Sequence, residues 1–343
     1  MRARKTNDYS SLERVFTAKT GKSLCYGKVR EKTISTGASI IVPVYENYDA
    51  FSKCFAALQR QKISKAARQK IEIIVVDDAS SKPERIRRII KSNNEFSTLL
   101  ITMGKNHGRS VARNAGLAFS KQPIAVFVDA DIVTRPDFLI NHLVRHQRFR
   151  NIVTIGFRDA IPLRTNVNKN MVPDFRHDFR FNKFIPSSWE SFYIDQNPQS
   201  FDKTVSVVKE SDNFKKFSQH NRYGVWGLPG MFVSSNCAFR VSHVLAVGGF
   251  SEKFHGWGME DTFLGYKLMR RGVYFVPLFS ATTFHLTNKK TRKDMRSFKN
   301  NYLTFLRLTK KYTSQNLSEK KWRNSWLKNH PKYFTVTSFS SAS

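Results

Sequence analysis

The sequence has little cysteine, no long apolar run and few acidic residues. Its three cysteines, Cys25, Cys54 and Cys237, are odd in number and far apart, so they match neither a disulfide framework nor a zinc site. No apolar run approaches the roughly 20 residues that a membrane-spanning helix needs. Residues 1–7 have no apolar segment behind them, so we expect no signal peptide and a cytoplasmic location.

The shortage of acidic residues leaves a formal net charge of +32, from 58 Lys and Arg against 26 Asp and Glu. A field of that sign attracts polyanions: nucleic acid, an anionic membrane surface or an acidic glycan. Fourteen basic and two acidic residues lie between Lys289 and Lys332, interleaved with aromatic residues. This pattern favours a helical tail, which either meets an anion, including the inner face of a membrane, or packs on the core with a solvated basic side.

Apolar runs typical of buried strands alternate with amphipathic helices over the first half of the chain. The predicted strands cover residues 38–45, 71–76, 97–102 and 124–128. The predicted helices begin near residue 47 and cover 82–92 and 109–119. With 40% hydrophobic residues, the chain is not disordered. It is an α/β protein with a mixed, mostly parallel sheet and helices on both faces.

The second half is less regular. The alternation stops near residue 151, and residues 158–223 are predicted to be irregular and to line a cleft. A strand-like run at 230–240, helices at 241–250 and 262–271, and a strand at 273–277 follow. We divide the chain into a basic extension (1–37), a main domain (38–288, with halves 38–150 and 151–288) and a basic aromatic tail (289–343).

Acidic residues recur where the predicted strands end. Asp129 and Asp131 project to the same side because they are two apart on an extended backbone. Glu46, Asp77 and Asp78 follow other strands at the same edge, which is where ligands bind in open α/β sheets. Such carboxylates suit a hard divalent metal carrying a diphosphate. For the Asp129–Asp131 pair alone, a capping and a solvated carboxylate would be the ordinary explanation.

Seven blocks between residues 38 and 290 resemble the family 2 type of GT-A glycosyltransferase, in the same order. The second half also looks like galactosyl- and N-acetylgalactosaminyltransferases that share a W-G-x-E-D motif. The matching blocks are 40–45 (IIVPVY), 75–80 (VVDDAS), 106–116 (NHGRSVARNAG), 128–131 (VDAD), 235–240 (SNCAFR), 248–250 (GGF) and 256–261 (GWGMED). The resemblance implies a GT-A fold and a UDP-sugar donor.

The resemblance also implies a role for each matching residue. Binding of the nucleotide sugar falls to Pro43, Tyr45, Glu46, Asp77, Asp78, Arg109, Arg113, Asp129, Asn236 and Trp257. The uracil N–H is assigned to Asp77 or Asp78, since a carboxylate accepts well there. Asp131 and His285 are the implied metal ligands, for Mn²⁺ or Mg²⁺. Asn236 has an equally good alternative as a strand-end turn residue.

Asp261 is the expected catalytic base, which would deprotonate the attacking hydroxyl of the acceptor. Glu260 is expected to hydrogen-bond sugar hydroxyls, and Trp257 to form an apolar floor for a sugar ring. Alternatively, both carboxylates only stabilise a helix N-terminus, and Trp257 belongs to the core. Retaining relatives carry Asn at the position of Asp261, so a carboxylate favours inversion.

The sequence therefore favours a metal-dependent, inverting transferase that moves a hexose or N-acetylhexosamine from a UDP-sugar to a hydroxyl. A glycan or lipid-linked acceptor is expected, and an anionic one would suit the positive charge of the chain. Two alternatives remain open. One is a retaining transferase on the same fold, and the other is a polyanion-binding protein whose transferase site is vestigial. Nucleic acid is the less favoured partner.

Overall fold

The computed structural model describes residues 7–29, 34–93, 95–168, 170–178, 180, 191–192, 201–202, 229–287, 292–330 and 334–341. The helices are α1 (Ser10–Thr20), α2 (Tyr48–Gln59), α3 (Lys65–Arg68), α4 (Pro83–Lys91), α5 (Arg109–Phe119), α6 (Phe138–Arg148), α7 (Val241–Ala246), α8 (Glu260–Arg270), α9 (Arg292–Lys310) and α10 (Glu319–Asn329). Within the described ranges, no helix is both long and apolar enough to cross a membrane.

The strands form one large mixed sheet and one small hairpin. They are β1 (Ala38–Val44), β2 (Ile71–Asp77), β3 (Ser97–Met103), β4 (Ile124–Val128), β5 (Ile132–Val133), β6 (Ile152–Pro162), β7 (Ser191–Phe192), β8 (Phe201–Asp202), β9 (Asn236–Arg240), β10 (Tyr274–Thr287) and β11 (Phe334–Phe339). The order across the large sheet is β11-β3-β2-β1-β4-β9-β6-β10-β5, and β7 pairs with β8. Six strands of the large sheet run in one direction, while β5, β9 and β11 run against them.

The first half of the sheet follows the sequence prediction closely. β4 is buried along its whole length, as expected for a strand covered on both faces. On α2, the apolar face formed by Phe51, Cys54, Phe55 and Leu58 is fully buried. α5 approaches β1 so closely that a Cβ at Gly116 would overlap Ile41. The predicted α/β class with a mostly parallel sheet is confirmed.

The sheet continues past residue 151, where the predicted alternation ends. β6 has eleven residues and lies between β9 and β10, and α6 precedes it. The predicted strand at 273–277 is the start of the fourteen-residue β10. Most of the predicted irregular region 158–223 lies outside the described residues.

Both extensions pack on the main domain. Phe16 of α1 is fully buried, and the side chain of Asn7 exchanges hydrogen bonds with the backbone of Phe275 in β10. In the tail, α10 buries Trp322 and Trp326, and β11 adds an antiparallel edge strand to β3. Trp322 and Trp326 therefore pack against the protein's own core.

Candidate active site

A cleft of about 410 Å³ opens at the carboxyl ends of the parallel strands. Its wall combines the β1–α2, β2–α4, α5 and β4–β5 regions with the 256–258 turn and α9. The lining residues are Pro43, Val44, Tyr45, Asn47, Asp78, Asn106, Gly108, Arg109, Ala112, Arg113, Asp129, Ala130, Asp131, Gly256, Trp257 and Ser297. The topology thus gathers seven predicted nucleotide-sugar residues and one predicted metal ligand at one sheet edge, as expected for an open α/β sheet.

Arg113 is the buried centre of the site. Its side chain is 2% exposed and donates to Asp129 (Nη2–Oδ1, 3.1 Å) and Glu260 (Nη1–Oε1, 3.0 Å), with Asp261 Oδ1 3.4 Å from Nη1. Burial alone would lower the pKa of Arg113, but the three carboxylates raise it. One cation facing three carboxylates leaves negative charge in the site, which suits further cationic groups there.

Asp261 begins α8 together with Glu260. Ser234 donates to both of its oxygens, from Oγ at 2.7 Å and from the backbone N–H at 3.1 Å. Burial raises the pKa of Asp261 to about 6; Arg113 opposes the shift, and Glu260 adds to it. A fixed, 18% exposed carboxylate with a pKa near neutrality has the properties of a general base.

Asp131 and His285 lie side by side, with 3.4 Å between Oδ2 and Nε2. The antiparallel pairing of β5 and β10 brings them together, since His285 pairs with Ile132. Among the described residues, the buried Oδ1 of Asp131 has no hydrogen-bond partner. Within the same residues no cluster supplies three metal ligands, so the protein offers a carboxylate and an imidazole. This pair fits a divalent metal whose remaining ligands come from a diphosphate.

Asp78 shapes the end of the cleft behind α5. It accepts from the backbone N–H groups of His107 and Gly108, both at 2.8 Å. Burial raises the pKa of Asp78 to about 6, although these two hydrogen bonds oppose the shift. Asp77 is fully buried outside the cleft lining, and Ser80 donates to its Oδ1. Of the two carboxylates predicted for the uracil, Asp78 is the one that reaches the cleft.

Besides Asp77, the predicted residues outside the cleft lining are Glu46, Asn236, Glu260, Asp261 and His285. Glu46 accepts from Tyr48 and Ser81, so its carboxylate ties the β1–α2 loop to the start of α4. Asn236 is 1% exposed, and its amide bonds His142 and the backbone of Phe157 inside the core. It is the first residue of β9 and pairs with Val128, so it is a strand residue and not the turn residue of the alternative explanation.

Four further residues predicted to bind the nucleotide sugar belong to the cleft wall. Pro43, Tyr45, Arg109 and Trp257 line the cleft, with Tyr45 51% exposed. The cleft also contains residues that the sequence did not indicate, among them Asn47, Asn106 and Ser297. The motif blocks include Asn106, so that residue was identifiable. Ser297 lies in the basic tail, outside the matching blocks, so no sequence pattern indicated that it lines the cleft.

Comparison with known proteins agrees with this geometry. Residues 39–197 match the model of "Glycosyl transferase family 2", and residues 217–288 match "N-terminal domain of galactosyltransferase". The chain is 26% identical over 262 residues to a chondroitin synthase of Escherichia coli, covering 75% of this chain and 35% of that one. It therefore spans about a third of that relative.

Two solved structures share the fold. The first is "Mannosyltransferase PcManGT from Pyrobaculum calidifontis in complex with GDP-Man and Mn2+", with a TM-score of 0.54, 15% identity, and coverage of 87% of this chain and 72% of that one. The second is "GalNAc-T7 with UDP, GalNAc and Mn2+", with a TM-score of 0.54, 12% identity, and coverage of 88% and 55%. The two matched models, together with the shared fold, support a glycosyltransferase of the family 2, GT-A type.

Proposed function

We propose that the chain is a metal-dependent, inverting glycosyltransferase that moves a hexose or N-acetylhexosamine from a UDP-sugar to a hydroxyl. The observation that carries this proposal is the grouping around Arg113. Asp261, a carboxylate with a pKa of about 6, lies 3.4 Å from Nη1 of that arginine. Nη2 of the same arginine pairs with Asp129, which is two residues from Asp131 in the chain. Asp261 therefore contacts the same buried arginine as Asp129, which lines the cleft beside Asp131.

The residues divide the work between donor and acceptor. Asp78 would accept from the nucleobase, and Pro43 and Tyr45 would hold the uridine. Asp131 and His285 would hold the metal, which as a Lewis acid neutralises charge on the leaving diphosphate. Arg109, exposed at the N-terminus of α5, adds a cation and a helix end at the same place.

Asp261 would take the proton from the acceptor hydroxyl as that oxygen attacks the anomeric carbon. Ser234 fixes the orientation of this carboxylate, so it is ready without rearrangement. Arg113 would stay protonated throughout, because its neighbours raise its pKa. Its charge limits the repulsion among the carboxylates and keeps Asp261 ionised at neutral pH.

The configuration of the product tests inversion. NMR of the new linkage should show the anomeric configuration opposite to that of the donor sugar. Retention would favour the alternative mechanism on the same fold. A UDP donor is supported by Asp78 in the cleft and by the UDP of one similar structure, whereas the other contains GDP-Man. Competition of UDP and GDP for the site separates these two nucleotides.

The acceptor is proposed to be anionic, because exposed cations follow one face of α9. These cations are Arg296, Lys299, Arg307 and Lys310. At about 3.6 residues per turn they fall within one third of the helix circumference. Ser297 of the same helix lines the cleft, and at about 100° per residue the cations lie roughly 80–160° around the helix from it, so they form a separate face beside the cleft. An acidic glycan or lipid-linked anion would bind along it.

Charge removal tests this acceptor class. We expect K299S/R307S/K310S to weaken transfer to an anionic acceptor while donor hydrolysis stays unchanged. The matched variant K320S/K321S/K328S removes three exposed cations from α10 and should leave both activities intact. Equal losses in both variants would show that only net charge matters. Binding to anionic vesicles or nucleic acid without any transfer would favour the polyanion-binding alternative.

A further inference from the structure

Helix α9 is built onto the turn that carries Trp257, although it lies beyond residue 288, where the matched family models end. The turn contains Gly256 and Gly258, which have φ of +75° and +99°. A Cβ at Gly256 would lie 2.5 Å from Ser297 Oγ, and one at Gly258 would lie 2.5 Å from the Phe298 ring. Glycine is therefore required twice, by backbone conformation and by close approach.

Asn301 holds this turn from the buried face of α9. Its side-chain amide donates to the carbonyls of His255 (3.0 Å) and Trp257 (3.2 Å). Its carbonyl oxygen accepts from the N–H of His255 at 3.3 Å. Asn301 is 4% exposed, so these three hydrogen bonds form away from water. A buried amide that satisfies both edges of a turn fixes its conformation.

The ring of Trp257 is held between this anchored backbone and α9. Its centroid lies 5.1 Å from that of Phe298, at a tilt of 36°. Trp257 and Ser297 both line the cleft. An apolar ring beside a hydroxyl is an arrangement that suits a sugar, which presents C–H faces and hydroxyl groups together.

We propose that Asn301 is a positioning residue, which sets Trp257 for a sugar ring, and that Ser297 contacts a hydroxyl of that sugar. This inference rests on the proposed transferase function and extends the active site into the tail. The nucleotide end of the cleft, around Asp78, is formed by other elements and does not depend on α9. Sugar transfer and nucleotide binding should therefore respond differently to changes in α9.

The test compares N301A with N300A, since Asn300 is the exposed neighbour on the same helix. We expect N301A to lower kcat/KM for transfer by about 10- to 100-fold, because small displacements in an active site carry costs of that size. The Kd for UDP should change less than about 2-fold, and N300A should match the parent. If N301A folds poorly, N301D takes its place in the test. This variant keeps the shape of the side chain but loses the two donated hydrogen bonds, so we expect the same loss of kcat/KM.

Ser297 is tested separately with S297A. Loss of one hydrogen bond to a neutral hydroxyl should raise KM for the sugar substrate by about 3- to 10-fold. The fluorescence of Trp257, taken as the difference from W257F, should shift in N301A with or without transferase activity. Unchanged fluorescence together with parental kinetics in N301A would overturn the positioning role. An inactive parent would contradict the proposed function, while the fluorescence would still decide whether Asn301 positions the turn.

Discussion

Arg113 on α5 and Glu260 on α8 form a buried ion pair, with 3.0 Å between Nη1 and Oε1. The arginine comes from the half that holds the nucleotide edge, and the glutamate from the half that carries Asp261. The pair therefore joins the two halves at the cleft. Because the Arg113 side chain is 2% exposed, its loss would leave buried carboxylates without their cation.

We expect R113M to lower the free energy of unfolding by about 3–5 kcal/mol, the usual cost of breaking a buried ion pair from one side. Urea unfolding of the purified protein measures this. The control is R88M, which removes an exposed arginine from α4 and should cost less than about 0.5 kcal/mol. Similar effects of the two variants would mean that Arg113 is not central to the site's stability.

The cost of R113M should also depend on pH. Burial raises and Arg113 lowers the pKa of both Asp129 and Asp261, so without the arginine we expect both to have a folded-state pKa above the unfolded value. Protonation then favours the folded state, so the stabilising effect is present at low pH and is lost as pH rises through the folded pKa. The difference in unfolding free energy from the parent should shrink between about pH 7 and pH 5. A difference that stays constant over this range would contradict the proposed effect of Arg113 on the buried carboxyl groups.

The pH profile of kcat should report Asp261. A base must be ionised, and burial raises the pKa of this carboxyl to about 6. We expect kcat to be flat above pH 7 and to fall about tenfold per unit below the pKa. Asp78 has a similarly raised pKa, but its proposed role is in donor binding, so its protonation should appear in the donor KM. A kcat that is constant down to pH 5 would argue against Asp261 as the base.

Metal binding should require both Asp131 and His285. We expect D131N and H285A each to raise the Kd for Mn²⁺ in the presence of UDP by at least about 10-fold, since even residues behind a metal's ligands alter affinity by 10- to 100-fold. Titration calorimetry measures this without any turnover. His177 pairs with Asp159 away from the cleft lining, so H177A is the matched control. Parental affinity in H285A would remove His285 from the ligand set.

The nucleotide end should depend on Asp78. D78N replaces one of the two oxygens that accept from His107 and Gly108, so the loop before α5 loses a hydrogen bond. We expect the Kd for UDP to rise by about 10-fold, equal to roughly 1.4 kcal/mol. D49N alters an exposed carboxylate on α2 and should leave the Kd unchanged. Fluorescence or calorimetric titration with UDP measures both.

The parallel half of the fold was predictable because its strands are continuous apolar runs with distinct ends. The end of that half was harder to predict, since α6 buries polar residues that resemble surface residues in sequence. His142 and His146 both bond Thr154 of β6, and Arg145 donates to the carbonyl of Leu24. These partners are distant in the chain, so sequence periodicity does not show that such side chains are satisfied in the core.

The site residues were also predicted with unequal success. Residues at strand ends, such as Asp129 and Asp131, reached the cleft because a parallel sheet brings strand ends together. Asn236 did not reach the cleft, because it begins the buried strand β9 and its amide donates to the backbone carbonyls of Phe157 and Ala281 in the core. The basic composition of α9 gave no sign of its contribution, which the structure shows through the contacts of Ser297, Phe298 and Asn301 with the cleft and the Trp257 turn.

The most direct test of the proposed function is UDP release from a panel of UDP-sugars with Mn²⁺, with and without EDTA, for the parent and for D261N. We expect release from one donor that stops with EDTA and falls by at least about 100-fold in D261N, since general-base catalysis typically contributes 10²–10⁴. UDP binding should survive in that variant. Release that is unaffected by EDTA and by D261N, or no release from any donor, would contradict a metal-dependent transferase that uses Asp261 as its base.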